Sequence, residues 1–268
     1  MKWLEVTLPF AETEKDIMLL DLLDLGIQGV WEENSSYKFY LPENTDLESL
    51  QAKFSSHTLN YKLVQDEDWA ETWKKFWHAN KIARWVIVPS WETYKKNPGE
   101  LIINLDPGMA FGTGAHETTA LMLELLSNKK PQVVWDIGTG TGILAIAAAQ
   151  LGAEVYAFDI DPLATDATKE NATKNQVIEK IEVIEGNLLE AASLFPTELP
   201  DVVLTNILAE VIVEFVPILK AKIPHFTWLL SGVIQEKAYL VEEALTKSGF
   251  KIIKRITKGE WVSMEAVI

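Results

Sequence analysis

The chain has no cysteine and only four histidines among its 268 residues. The first absence excludes disulfides, thiolate zinc sites, iron–sulfur clusters and cysteine nucleophiles, and it fits a reducing, cytoplasmic compartment. The second leaves little for metal chemistry: His57, His78, His116 and His225 show no ligand spacing, and "HETT" at 116–119 is not H-E-x-x-H. No metal is expected. Apolar runs are short as well, none approaching the ~20 residues that span a bilayer. The opening "MKWLEVTLPFAETEKD" has neither the apolar core nor the cleavage site of a signal peptide. The expectation is a cytoplasmic protein without membrane association, and a monomer.

Positive charge is scarce, with 24 Lys and Arg against 39 Asp and Glu, a formal net charge of −15. A nucleic-acid binder needs cations to neutralise phosphates, so direct nucleic-acid binding is not expected. An acidic surface instead steers a basic partner toward it. What is present is ordinary for a globular protein: 48% hydrophobic and 24% charged residues, in a length that suits one large domain or a small one plus a medium one.

From residue 2 to 65 short strands and helices alternate. "KWLEVTLP" reads as a strand, and residues 11–25, with Ile17, Leu20, Leu23 and Leu25 among acids, as an amphipathic helix. "GIQGVWEE" and "YKFYLP" read as strands joined by the turn-forming "NSS", "NTDLESLQAKFSS" as a capped helix and "LNYKLVQ" as a last strand. The order βαββαβ predicts a small ferredoxin-like α+β domain over 1–65. Residues 1–80 hold 15 acids against 7 bases and no active-site motif, which points to recognition. A linker helix is expected over 66–80, where Trp69, Trp73 and Trp77 share one face as a packing stripe.

"ARWVIVPSW" and "ELIINLDPG" follow as strands, and from residue 131 apolar strands alternate regularly with helices up to a final strand pair, "FKIIKRITK" and "EWVSMEAVI". Strands that are almost wholly apolar imply a parallel sheet covered on both faces, and the last two an antiparallel hairpin at one edge. Residues 81–268 are therefore expected to form an α/β, Rossmann-like domain.

Its loops carry the chemistry. In "VVWDIGTGTGILAI" glycines 138, 140 and 142 stand where a strand hands over to a helix, whose N-terminus offers unpaired N–H groups. The third glycine of a dinucleotide fingerprint would fall at Ile143, which argues against NAD or FAD. Asp136, just before the loop, suggests a ligand with a positive group. Asp159, ending the next strand, is placed to accept ribose hydroxyls, with helix capping by Asp161 and a glycine packing turn as the bland alternative. Asn187 is expected near an adenine edge. Asn206, polar at the end of "DVVLTN", points into the crevice where such sheets bind ligands, unless it caps the following helix. A second glycine-rich stretch, "GMAFGTGAHETT" at 108–119, lies just ahead of the first parallel strand and is expected to fold over the same ligand, with His116 a bystander.

"DIGTGTG", "FDIDP" and "TNILA", in that order, resemble a class I S-adenosylmethionine-dependent methyltransferase. "DWAETWKKFW", "VIVPSW", "DPGMAFGTGAHETT" and the βαββαβ domain in front resemble, over essentially the whole chain, the ribosomal protein L eleven methyltransferase (PrmA) family. The resemblance implies a seven-stranded methyltransferase domain, S-adenosyl-L-methionine as cofactor, and contacts to it from Thr118, Gly138, Asp159 and Asn206. It places Phe111 and Thr113 in a loop lining or covering the cofactor, beside Gly140. Ala115 departs from the polar residue more usual there. The implied substrate is a basic large-subunit ribosomal protein, methylated on lysine ε-amines and its N-terminal α-amine and held by the N-terminal domain. In that reading Asn206 and the backbone carbonyl of Ile207 accept hydrogen bonds from the amine. The rival readings are a methyltransferase acting on another protein or on RNA, a nicotinamide dehydrogenase, and a non-catalytic cofactor-binding module.

Overall fold

The computed structural model describes residues 2–11, 14–15, 18, 21–22, 27, 30–33, 35–43, 45, 47–65, 78–106, 117–189 and 194–268. The chain divides into two compact units, 1–77 and 78–268. In the first, β1 (Lys2–Pro9), β2 (Trp31–Glu33), β3 (Ser36–Pro42) and β4 (Asn60–Gln65) form an antiparallel sheet in the order β2-β3-β1-β4, with α1 (Leu47–Lys53) between β3 and β4. Alternation decides its faces: Leu4, Val6 and Leu8 are buried, whereas Trp3, Glu5 and Thr7 between them are half-buried. Met18, Leu22, Ile27, Leu50 and Phe54 complete the core on the side of Leu4 and Val6. Ile17, Leu20, Leu23 and Leu25 lie outside the described residues, as do Trp69, Trp73 and Trp77.

The second unit opens with β5 (Asn80–Ile82), β6 (Trp85–Val88) and β7 (Leu101–Asn104), a three-stranded sheet in that order. Two sequence expectations are corrected here. Asn80 begins a strand rather than ending the linker helix, and within "ARWVIVPSW" only Trp85–Val88 is strand, Ala83 (φ 51°) and Arg84 forming the tight turn that joins it to β5. No glycine or asparagine announces that turn, so the apolar pattern reads straight through it.

The large sheet has seven strands in the order β10-β9-β8-β11-β12-β14-β13: β8 (Val133–Ile137), β9 (Glu154–Asp159), β10 (Ile181–Glu185), β11 (Val202–Asn206), β12 (Thr227–Ile234), β13 (Lys251–Lys258) and β14 (Trp261–Val267). The first five are parallel, and β14 runs antiparallel between β12 and β13, as the apolar runs and the final strand pair predict. On one face pack α2 (Glu117–Leu126) and α3 (Ile143–Gln150); every residue of α3 from Ile143 to Ala149 is buried, as an alanine-rich helix allows when helices crowd together. On the other face pack α5 (Ala209–Lys222) and α6 (Ala238–Lys247). The polar α4 (Pro162–Lys174) buries only Ala164, Thr165, Thr168 and Ala172. Reversal of strand order at β8 and β11 opens a crevice beyond their carboxyl ends. Among the described residues no helix is long and apolar enough to cross a membrane.

Candidate functional site

A cavity of about 660 Å³ occupies that crevice, within the range of small-molecule sites. Its walls include Thr118, Gly138, Gly140, Asp159, Asn187, Asn206 and Ile207, all of which the sequence nominates. Phe111, Thr113 and His116 lie outside the described residues. Ile160, Leu208, Gly232 and Trp261 also line the cavity and are missed by motif reasoning. Gly232 had a signal, since a glycine inside a strand marks close backbone approach. Trp261 had none, because a tryptophan opening a strand reads as core.

The glycine loop differs from the expectation of free N–H groups. Gly138 and Thr139 both donate to the carbonyl of Phe158 at 2.9 Å, Gly142 donates to Thr139 O at 2.9 Å, and Gly140 donates to Asp159 Oδ2 at 2.9 Å. The protein itself takes up these amides. A phosphate-cradling loop keeps its amides for the anion, so this loop, unlike a dinucleotide loop, has little to offer a pyrophosphate.

Asp136 is corrected as well. It does not line the cavity: it is 1% exposed and turned beneath the loop, where Oδ2 accepts Thr139 Oγ1–H at 2.8 Å and the Ala145 amide at 3.1 Å, at the start of α3. Its Oδ1 is buried without a hydrogen-bond partner. Burial pushes this carboxyl up to about 7, against the two hydrogen bonds, with the nearby Asp159 charge adding to the rise.

Asp159 is half-buried at the end of β9; Oδ2 holds the Gly140 amide and Oδ1 the Asp161 amide at 3.1 Å. A carboxylate has about four acceptor sites, so lone pairs remain for hydroxyls. The helix-capping role belongs to Asp161, whose Oδ1 accepts Leu163 N–H at 2.9 Å. Asn187 lines the cavity with its Oδ1 committed to the Leu189 amide at 3.0 Å.

Asn206 ends β11 and does not cap α5, whose N-cap is Leu208. Its Nδ2 lies 3.5 Å from Thr119 Oγ1, and its Oδ1 is buried with no partner. A buried acceptor left open on a cavity wall is a request for a donor. The next residue, Ile207, is wedged between two glycines. A Cβ on Gly138 (φ 77°) would stand 2.5 Å from Ile207 Cγ2, and one on Gly232 (φ 84°) 2.2 Å from the Ile207 carbonyl oxygen. At Gly232 backbone thus meets backbone where only glycine fits, while Gly138 makes room for the Ile207 side chain. Asp159 is the one ionisable residue among the described walls; the rest of the lining is apolar or neutral. The site can hold a nucleoside at the Asp159 end and a hydrogen-bond donor at Asn206. Among the described walls no carboxylate or imidazole stands beside Asn206 for proton transfer.

Comparison with known proteins agrees with this geometry. The model of a family described as "Ribosomal protein L11 methyltransferase (PrmA)" matches residues 2–267. A ribosomal protein L11 methyltransferase from Alkaliphilus oremlandii is 35% identical, with 98% of each chain covered. Another from Pelotomaculum thermopropionicum is 41% identical over 85% of this chain and 78% of its own. The crystal structure of a ribosomal protein L11 methylase from Lactobacillus delbrueckii subsp. bulgaricus superposes with a TM-score of 0.63 at 34% identity, covering 71% of this chain and 98% of that one.

Proposed function

Since the chain belongs to the ribosomal protein L11 methyltransferase family, we propose that it methylates ribosomal protein L11, on lysine ε-amines and the N-terminal α-amine, using S-adenosyl-L-methionine. The observation that carries this reading is the unpartnered Asn206 Oδ1 on the wall of a cavity that Asp159 also lines, two strands away. An amine N–H meets that acceptor; a ribose meets that carboxylate.

The residues fit the cofactor. Asp159 would hold ribose hydroxyls, the Gly138–Gly140 turn and Thr118 would line the methionine portion, and Gly186 to Leu189 with Ile160 would enclose the base. When bound, the cofactor supplies an electrophilic methyl on a sulfonium. The chain's own contribution is alignment and exclusion of water. Asn206 Oδ1 and the Ile207 carbonyl, fixed by Gly138 and Gly232, aim the nitrogen lone pair. The amine arrives neutral: free lysine has a pKa of ~10.4 and an α-amine of ~7.7–8.0, and an apolar chamber favours the uncharged form. The loop amides already bonded to Phe158 and Asp159 disfavour the dinucleotide alternative.

The N-terminal unit is the reading's recognition domain: it has 15 acids against 7 bases and carries no catalytic motif, which suits a basic ribosomal protein. The test is incubation of the purified protein with radiolabelled S-adenosyl-L-methionine and separated ribosomal components. Label in a protein with the mass of L11, located by mass spectrometry on its amines, is the expected result. Label in RNA, in another protein, or in nothing refutes the assignment.

A further inference from the structure

The cavity is longer than the part assigned to the cofactor. Asp159 ends β9 and Trp261 begins β14, four strand spacings away across β8, β11 and β12, about 19 Å at ~4.8 Å per strand. The two residues therefore bound opposite ends, with Asn206 and Ile207 between them. The described walls that follow Ile207 in the chain are Leu208, Val211, Phe215, Gly232 and Trp261, without a charge among them. Leu208 is 66% exposed, an apolar side chain at the mouth. Trp261 is half-buried and reaches the crevice because β14 is antiparallel and starts where its parallel neighbours end. Its approach is fixed by the turn before it: Gln235 donates its backbone amide to Glu260 O at 2.8 Å and its Nε2–H to Gly259 O at 2.9 Å. On its other side the turn meets Glu117, whose Oε2 would lie 2.5 Å from a Cβ on Gly259.

We propose that Trp261 is a specificity-determining residue of the acceptor half: its indole face holds the methylated ammonium cation and so lets one amine return for further methyl groups. This rests on the reading given under Proposed function. In each transfer the nitrogen lone pair forms the new N–C bond, the C–S bond breaks, and its electron pair stays on sulfur. After the first and second transfers the ammonium must give a proton to water before the lone pair is free again. After the third the charge is permanent. Each product is a cation bearing more methyl groups and fewer N–H donors, so Asn206 Oδ1 holds it less with every step. An aromatic face attracts a cation without needing N–H groups. Two aromatic walls follow Asn206 in the chain, Phe215, which is 4% exposed within the core, and the half-buried Trp261.

The test uses the full-length protein in wild-type, Trp261→Phe, Trp261→Leu and Gln235→Ala forms. Calorimetry with S-adenosylhomocysteine present measures binding of free Nε-trimethyl-lysine. The Leu variant is expected to bind about fivefold more weakly or worse, and the Phe variant to stay near wild type. Gln235→Ala, which frees the turn, is expected to weaken binding in the same direction. Affinity for S-adenosyl-L-methionine alone is expected to be unchanged in all three, which also reports that they fold. With L11 as substrate, mass spectra of the Leu variant's product are expected to show fewer methyl groups per amine than those of the wild type's. Unchanged trimethyl-lysine affinity in the Leu and Gln235→Ala forms overturns the proposal, as does an equal loss of affinity for S-adenosyl-L-methionine. If the wild type leaves L11 unmodified, the proposed function fails, while the calorimetry still decides the role of Trp261.

Discussion

Asp136→Asn should make this protein's stability depend on pH differently from the wild type. The carboxyl lies beneath the glycine loop, 1% exposed, with its pKa raised to about 7, whereas in the unfolded chain it titrates near ~3.9. The folded state thus holds the proton more tightly. The stabilisation this gives is complete below pH ~4 and is lost as pH rises through about 7, a total of roughly 4 kcal/mol at ~1.4 kcal/mol per unit. Between pH 5 and pH 8 the share lost is about 2–3 kcal/mol. The amide cannot titrate, yet its Oδ1 can accept from Thr139 and Ala145 as the carboxyl Oδ2 does. Its NH2 then takes the unpartnered position, much as the protonated carboxyl's O–H would. The variant should accordingly lead by about 1.5 kcal/mol at pH 5 and by about 4 kcal/mol at pH 8, a gap that widens by about 2–3 kcal/mol across this range. Urea titrations of both at pH 5, 6, 7 and 8, followed by circular dichroism, measure the difference from midpoint and slope. A difference that stays flat across this range refutes the reasoning, because it would mean the buried carboxyl does not change charge there.

Asn206→Ala should leave the melting temperature within a few degrees of wild type while cutting turnover by about 10²-fold or more, the size of loss seen when one oriented hydrogen-bonding group is removed from a reacting centre; wild-type turnover would remove Asn206 from the mechanism. Gly232→Ala puts a Cβ 2.2 Å from the Ile207 carbonyl oxygen at φ 84° and should cost about 2 kcal/mol or more, seen as a lower unfolding midpoint. Asp159→Ala removes the acceptor of the Gly140 and Asp161 amides and should weaken S-adenosyl-L-methionine binding by at least ~10-fold in calorimetry. Ala83→Gly relieves a non-glycine residue at φ 51° in the β5–β6 turn and should raise stability by about 0.5–1 kcal/mol; a loss would show that the Ala83 methyl packs usefully.

The large sheet was legible because its strands carry unbroken apolar runs such as "VVWDI" and "DVVLTN", which only two-sided burial explains, and because glycines mark the turn after β8. The site residues at strand ends followed from the same logic, as Asp159 and Asn206 are polar where the chain leaves the core. Three things stayed hidden. The orientation of Asp136 depends on whether a carboxyl turns toward ligand or toward the start of α3, and spacing alone gives both options equal standing. The β5–β6 hairpin uses alanine where turn chemistry calls for glycine or asparagine, so no residue type announced it. Trp261 was illegible for a topological reason: it reaches the crevice only because β14 inserts antiparallel between β12 and β13, a pairing of residues far apart in sequence.

The bonded amides of the glycine loop bear on timing as well as on ligand choice. Gly138, Thr139, Gly140 and Gly142 each have an acceptor within the protein before any ligand arrives, and the loop runs into α3, buried along nearly its whole length. Their hydrogens should exchange slowly with deuterated solvent in the free protein and little slower when it is loaded. The ordering of this turn is completed during folding, so the entropy of fixing it is absent from the ligand's binding equilibrium.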